Sequence, residues 1–179
     1  MEEIFSTKER IKILKEVIFW EGEIGVNELS KRVKLSKGFV SKFLKVLEKK
    51  GILEKKGKKF LCNDLPLVKA IKILFTLSAI NQNIFKKYKF IKSVGLYGSC
   101  AKGENTLNSD VDIWIKTENI SQEDEINLLS ELRKKIKNVK VLFLTDEKLN
   151  KLKKEDSSFY YSLYFGSIII YGEKDGIWI

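Results

Sequence analysis

Asp110 and Asp112, standing in Ser109-Asp110-Val111-Asp112, are the residues of this chain best placed to do chemistry. They open the apolar run Val111-Asp112-Ile113-Trp114-Ile115, which reads as a strand. Residues two apart on a strand point the same way, roughly 6.6 Å apart along it. Two carboxylates that close repel each other, and a divalent cation between them removes the repulsion. A short loop upstream lies Gly95-Leu96-Tyr97-Gly98-Ser99-Cys100-Ala101-Lys102-Gly103. Gly98 lets backbone approach a ligand closely. Ser99 is expected to cap the short helix that follows, whose free N–H groups suit an anion. Two metal ions about 3.5–4 Å apart fit between such carboxylates and a triphosphate. The chemistry is metal-assisted transfer from a nucleoside triphosphate.

The run Gly98-Ser99-Cys100-Ala101-Lys102-Gly103 with Ser109-Asp110-Val111-Asp112 resembles the signature G-S-x-A-R-G…S-D-x-D of nucleotidyltransferases. That signature belongs to the DNA polymerase β superfamily, and the likeness is to its minimal members in archaea and bacteria. Lys102 stands where the pattern has Arg, keeping the charge but losing the planar bidentate fork. The resemblance spans Ile91 to Ile179. It includes Phe165-Gly166-Ser167-Ile168-Ile169-Ile170-Tyr171-Gly172, similar to the closing strand of these proteins. It implies that Gly98 and Ser99 hold the triphosphate and that Asp110 and Asp112 bind Mg2+ and are catalytic. Lys102 and Ser109 complete the nucleotide-binding set. The superfamily also uses a third carboxylate on a later strand, here Val139–Thr145. The pattern puts it near Leu142, which can neither ligate nor accept a proton. Asp146 shares the strand parity of Leu142 but stands four residues on, and Asp146-Glu147 reads as the cap and first turn of a helix over Glu147–Lys153. Cys100 occupies a variable position and receives no catalytic role.

Composition narrows the alternatives. The chain has no histidine, which excludes histidine general bases, Ser-His-Asp triads and the commonest zinc sites. Cys62 and Cys100 lack metal-ligand spacing and fit a reducing compartment. The acidic start, Met1-Glu2-Glu3, lacks a signal-peptide pattern, and the apolar runs are too short for a bilayer, so a cytoplasmic protein without membrane partners is expected. The net charge of +10 is concentrated: between Lys31 and Lys59 stand twelve Lys or Arg against Glu48 and Glu54, an excess equal to that of the whole chain. A patch this dense is an electrostatic footprint for a polyanion.

The elements that carry this patch follow from periodicity. Ile4, Ile11, Leu14, Val17 and Ile18 repeat at helical spacing, with Ser6 or Thr7 as cap and Glu9 in the first turn. After a break at Gly22 and Gly25, Val26–Val33 is a short helix. The turn Lys34-Leu35-Ser36-Lys37 leads to a third helix capped by Ser36, with Phe39, Val40, Phe43, Leu44 and Leu47 on its apolar face and Gly51 at its end. Ile52–Leu61 reads as a hairpin with Gly57 at the tip. Helix, short helix, turn, helix, hairpin resembles a winged helix-turn-helix over Val26–Leu61. That likeness implies double-stranded DNA as partner. Ser36, Lys37, Gly38, Ser41, Lys42 and Lys45 would face the major groove, with Lys55, Lys56, Lys58 and Lys59 along the phosphates. A docking or dimerisation role for this module stays open.

The fold class expected is α+β. A winged helix-turn-helix occupies residues 1–63, a connecting helix 64–89, with Pro66 in the first turn and the periodic stretch Leu67–Phe85, and a nucleotidyltransferase-like domain 90–179. In the last domain, strands at Ile91–Tyr97, Val111–Lys116 and Val139–Thr145, a helix at Glu123–Ile136 and another at Ser157–Gly166 make a mixed sheet covered by helices on one face. Phe159, Tyr160, Leu163, Tyr164 and Phe165 are assigned to packing. Two functions stay open. One is a DNA-tethered enzyme moving an NMP group from an NTP, with Mg2+, to a hydroxyl acceptor. The other is a winged-helix regulator whose nucleotidyltransferase fold senses nucleotide or binds a small helical partner, as the toxin–antitoxin associations of such families imply; either could act as a homodimer.

Overall fold

Local chemistry sets the helix boundaries in the N-terminal part of the computed structural model, which describes residues 2–118 and 120–172. Helix α1 spans Glu2–Phe5 and α2 spans Lys8–Ile18; the Thr7 side chain accepts the amide of Arg10 and so caps α2. Ile13, Leu14, Val17 and Ile18 are its buried positions, while Ile11 is only half-buried. The glycine break contains a short strand that the periodicity had not shown, β1 at Glu23–Gly25. Helix α3 (Val26–Val33) ends at Lys34, which takes the left-handed conformation, φ 54°. The Ser36 hydroxyl accepts the amide of Phe39 and starts α4 (Lys37–Lys49). Strands β2 (Leu53–Lys56) and β3 (Lys59–Cys62) form a hairpin with a two-residue turn in which Gly57 has φ 58°, and the sheet order is β1-β3-β2. Ile24, Leu29, Val33, Val40, Phe43, Leu44, Leu47 and Phe60 are buried.

Helix α5 covers Pro66–Ala79 and is shorter than expected. The side chain of Asn81 accepts the amide of Asn83 and starts a separate 3-10 helix at Gln82–Lys87, so Leu67–Phe85 is not one helix. The local side-chain-to-backbone bond outcompetes the helical one. The chain divides into two compact units. One comprises the described residues through Lys72 together with Thr106–Asn108; the other comprises Ile73–Asn105 and the described residues from Ser109 onward. Residues 173–179 of the expected C-terminal domain lie outside the described residues, as do Met1 and Asn119.

The second unit is built on a four-stranded mixed sheet. Its strands are β4 (Ile91–Leu96), β5 (Val111–Thr117), β6 (Val139–Leu144) and β7 (Ile168–Tyr171), in the order β6-β5-β4-β7. β4 runs antiparallel to β5 and β7, and β5 runs parallel to β6. Between them lie α6 (Gly98–Lys102), α7 (Gln122–Lys135), α8 (Asp146–Glu155) and α9 (Ser157–Gly166). Helices cover both faces of the sheet rather than one. Val94, Leu96, Ile113 and Ile115 pack with Leu128 and Leu132 of α7 and with Ile84 and Phe85 of the 3-10 helix. Trp114 and Leu144 pack on the other face with Leu149 of α8 and Tyr160 and Leu163 of α9. Alternation along each strand sends successive side chains to opposite layers, and both layers here are apolar. Phe159 also packs, but Phe165 is 76% exposed and so is not part of the core. No helix among the described residues is long and apolar enough to cross a membrane.

Candidate functional site

The candidate site begins where β4 ends. Gly98 has φ 68°, a left-handed conformation that side chains resist. A Cβ at Gly98 would lie 2.7 Å from Oδ2 of Asp112, so the missing side chain is the space in which that carboxylate rests. Helix α6 starts at Gly98 with Tyr97 as its cap residue and without a side-chain cap bond. Ser99 is therefore inside the first turn rather than at the cap, and its carbonyl accepts the amide of Glu104 at 2.9 Å. Two further bonds tie the turn to the acidic strand. The Tyr97 amide donates to the Asp112 carbonyl at 2.9 Å, and the Cys100 thiol donates to the Asp110 carbonyl at 3.2 Å. Sequence reasoning gave Cys100 nothing to do; its structural part is to hold the residue before β5. Burial, with Asp112 and Asp110 adding to it, pushes the Cys100 thiol up to about 11, which keeps it protonated as a donor at neutral pH.

Asp112 is half-buried, and burial holds its carboxyl above the ordinary range, with Lys140 opposing and Asp110 reinforcing the shift. Like charges at close quarters explain the last effect. Lys140 was not a candidate. It lies opposite Asp112 in the β5–β6 register, and its Nζ is 2.5 Å from Oδ2 of Asp110. That proximity to Asp110 in turn raises the Lys140 ammonium. The signal existed in the sequence only as a lysine alternating within Val139–Leu144; without the register nothing linked it to the acids. Leu142 pairs with Trp114 one step further along, so no acid stands at the expected third position. Asp146 is the first residue of α8, whose cap is Thr145 and not Asp146. It pairs with Lys116 at 2.8 Å, away from the Asp110/Asp112 end of β5. Among the described residues no group of three His, Cys, Asp or Glu could hold a metal. Ser109, half-buried, immediately precedes the acids, and Lys102 is exposed at the end of α6.

Two carboxylates fit one magnesium ion. That ion keeps several waters and is commonly held by one or two carboxylates together with substrate phosphates. The donor set suits such sharing, and the missing side chain at Gly98 is what makes room for the Asp112 carboxylate beside the turn.

The basic unit carries the second candidate surface. On α4, Lys37, Gly38, Lys42 and Lys45 are exposed and Ser41 is half-buried. Ser36 is exposed but spends its oxygen on capping α4. In the hairpin, Lys55, Lys56, Lys58 and Lys59 are exposed, and Lys56 is paired with Glu54 at 2.6 Å.

Comparison with known proteins gives two family matches. Residues 81–175 match the family described as "Polymerase beta, Nucleotidyltransferase". Residues 7–55 match that described as "Bacterial regulatory protein, arsR family". Among solved structures, a protein from Sulfolobus solfataricus, provisionally named a nucleotidyltransferase, is similar at 15% identity with a TM-score of 0.38, over 60% of this chain and 86% of that one. No curated protein matches the chain.

Proposed function

This chain belongs to the polymerase beta nucleotidyltransferase family, and from that premise we propose that it transfers an NMP group from a nucleoside triphosphate to a hydroxyl acceptor while bound to DNA. The observation that carries the reading is the seat of Asp112 against the left-handed Gly98, with Asp110 beside it. Asp110 and Asp112 would hold Mg2+. When bound, magnesium supplies positive charge that offsets the charge gathering on the phosphates during transfer. The backbone N–H groups of the Gly98–Ser99 turn bind phosphate oxygens, and Ser109 adds a hydroxyl beside the acids. Lys102, at the end of α6, neutralises the departing pyrophosphate. The bonds from Tyr97 and Cys100 hold turn and acids in one geometry, so little reorganisation is needed when the nucleotide enters.

The absent third carboxylate favours a second reading. Leu142 cannot take a proton from the acceptor, and a general base typically contributes about 10²–10⁴-fold. Transfer is then slow, or the unit serves as a nucleotide sensor or a docking site for a small helical, antitoxin-like partner within a winged-helix regulator. A radiolabelled NTP transfer assay across protein, RNA and small-molecule acceptors separates the two. Incorporation that disappears in Asp110→Ala/Asp112→Ala supports the enzyme. Calorimetric binding of Mg-ATP without any incorporation supports the sensor, and absence of both removes nucleotide from the account.

The N-terminal unit is read as the DNA-binding half. Lys37, Ser41, Lys42 and Lys45 face the major groove and Lys55, Lys56, Lys58 and Lys59 follow the phosphates. Its exposed lysines on α4 and the hairpin support this.

A further inference from the structure

We propose that Lys140 is a resident cation of the acidic pair, competing with free divalent metal and admitting metal together with the nucleotide. The inference rests on the nucleotide reading of Asp110 and Asp112 and specifies how that site is regulated. Three observations support it. Lys140 lies opposite Asp112 in the parallel register and bonds Asp110 at 2.5 Å, so one ammonium serves both acids. It stands on β6, the strand where a third acid would complete a metal trio, and among the described residues no third His, Cys, Asp or Glu joins Asp110 and Asp112. It is on β6, an edge strand of the sheet, and its side chain is 66% exposed, so it can leave without disturbing the core.

The competition follows from charge. Two carboxylates that face an ammonium have part of their field already neutralised, and a dication must displace that ammonium or share the acids with it. A solvent-exposed ion pair is weak enough to exchange. A metal–triphosphate brings phosphate oxygens that can accept the displaced ammonium, whereas free metal brings only repulsion. Lys140 thus lowers affinity for the naked ion more than for the ion carried by nucleotide.

The test is Mn2+ binding by electron paramagnetic resonance, with wild type, Lys140→Gln and Lys140→Glu, each with and without a non-hydrolysable triphosphate. Free Mn2+ should bind Lys140→Gln about five- to tenfold tighter than wild type, the scale of one charge at contact distance in a water-like medium. Lys140→Glu should bind tighter still, since it adds a ligand. With the triphosphate present the advantage of Lys140→Gln should shrink or reverse. Equal affinity of wild type and Lys140→Gln for free Mn2+ overturns the proposal, as does an advantage that persists undiminished although the triphosphate tightens Mn2+ binding to wild type. The underlying nucleotide reading fails separately. Wild type that ignores the triphosphate, while Lys140→Gln gains free Mn2+, supports the competition and removes the nucleotide.

Discussion

A carboxylate is useful to a metal only if something keeps it available, and in this chain that something is the absence of a side chain. Gly98 accepts φ 68° and leaves room for Asp112 Oδ2. Gly98→Ala places a Cβ 2.7 Å from that oxygen in a backbone conformation costing an L-residue about 1–2 kcal/mol. Urea denaturation should show a loss of that size, and calorimetry should show Mg-ATP binding weakened at least tenfold, because the carboxylate is pushed from its seat. Asp112 itself is held above the ordinary carboxylate range. An acid whose folded pKa is raised opposes folding once ionised, so stability falls as pH rises from the ordinary value through the raised one. Asp112→Asn should therefore melt higher than wild type at neutral pH, with the gap closing in acid. Such a gain in stability with lost nucleotide binding is the expected mark of a residue kept for function.

At the scale of elements, two fittings hold the sheet that carries these acids. Trp114 is fully buried, its ring lies over Gly95 on the neighbouring strand, and its Nε1 donates to Ser167 Oγ at 2.9 Å. A Cβ at Gly95 would come within 2.3 Å of the ring. Gly95→Ala should cost about 1–3 kcal/mol by overpacking, read as a lower urea midpoint. The second fitting joins α7 to the 3-10 helix. Glu131 accepts from Lys87 Nζ at 2.5 Å and from the Tyr88 hydroxyl at 2.9 Å. Lys87 and then Tyr88 pull its carboxyl down to about 2. A depressed acid contributes stability that is present above the ordinary value of 4.5 and lost as pH falls towards 2. Glu131→Gln should melt below wild type at pH 7, and the difference should vanish as pH falls through that window.

For the whole molecule, the decisive quantity is the uneven charge. The excess of +10 lies between Lys31 and Lys59, within the N-terminal unit, and the rest of the chain is close to neutral. Attraction to a polyanion should therefore belong to that unit alone. If about six phosphates are neutralised, the logarithm of DNA affinity should fall with the logarithm of salt at a slope near −5. Replacing Lys58 with Ala should lower the slope by about one, equally for all sequences, as a phosphate contact does. Replacing Lys42 should change affinity differently for different sequences if α4 reads bases. A gel-shift series in rising salt checks both, and a flat response would assign the unit to protein docking.

Much of this molecule was legible along the chain because the signals are local. The glycine turn, the pair Asp110/Asp112, the caps Thr7 and Ser36, and helix α3 each depend on residues no more than eight positions apart. Family likeness was legible for the same reason, since its motif is a short run. The misreadings have different causes, some local and some tertiary. Strand β1 is only three residues long, too short for periodicity. The helix expected over Leu67–Phe85 ended early because Asn81 offered a competing bond. Both faces of the sheet are covered because α8 and α9 fold back on Trp114, a packing choice that Trp114 alone does not announce. Lys140 meets Asp110 only through the parallel pairing of β5 with β6, which joins residues thirty apart. Register is a property of two strands together, and a one-residue slip would turn Lys140 away from the acids. The linear chain thus specified which groups could act; folding decided which cation faces them.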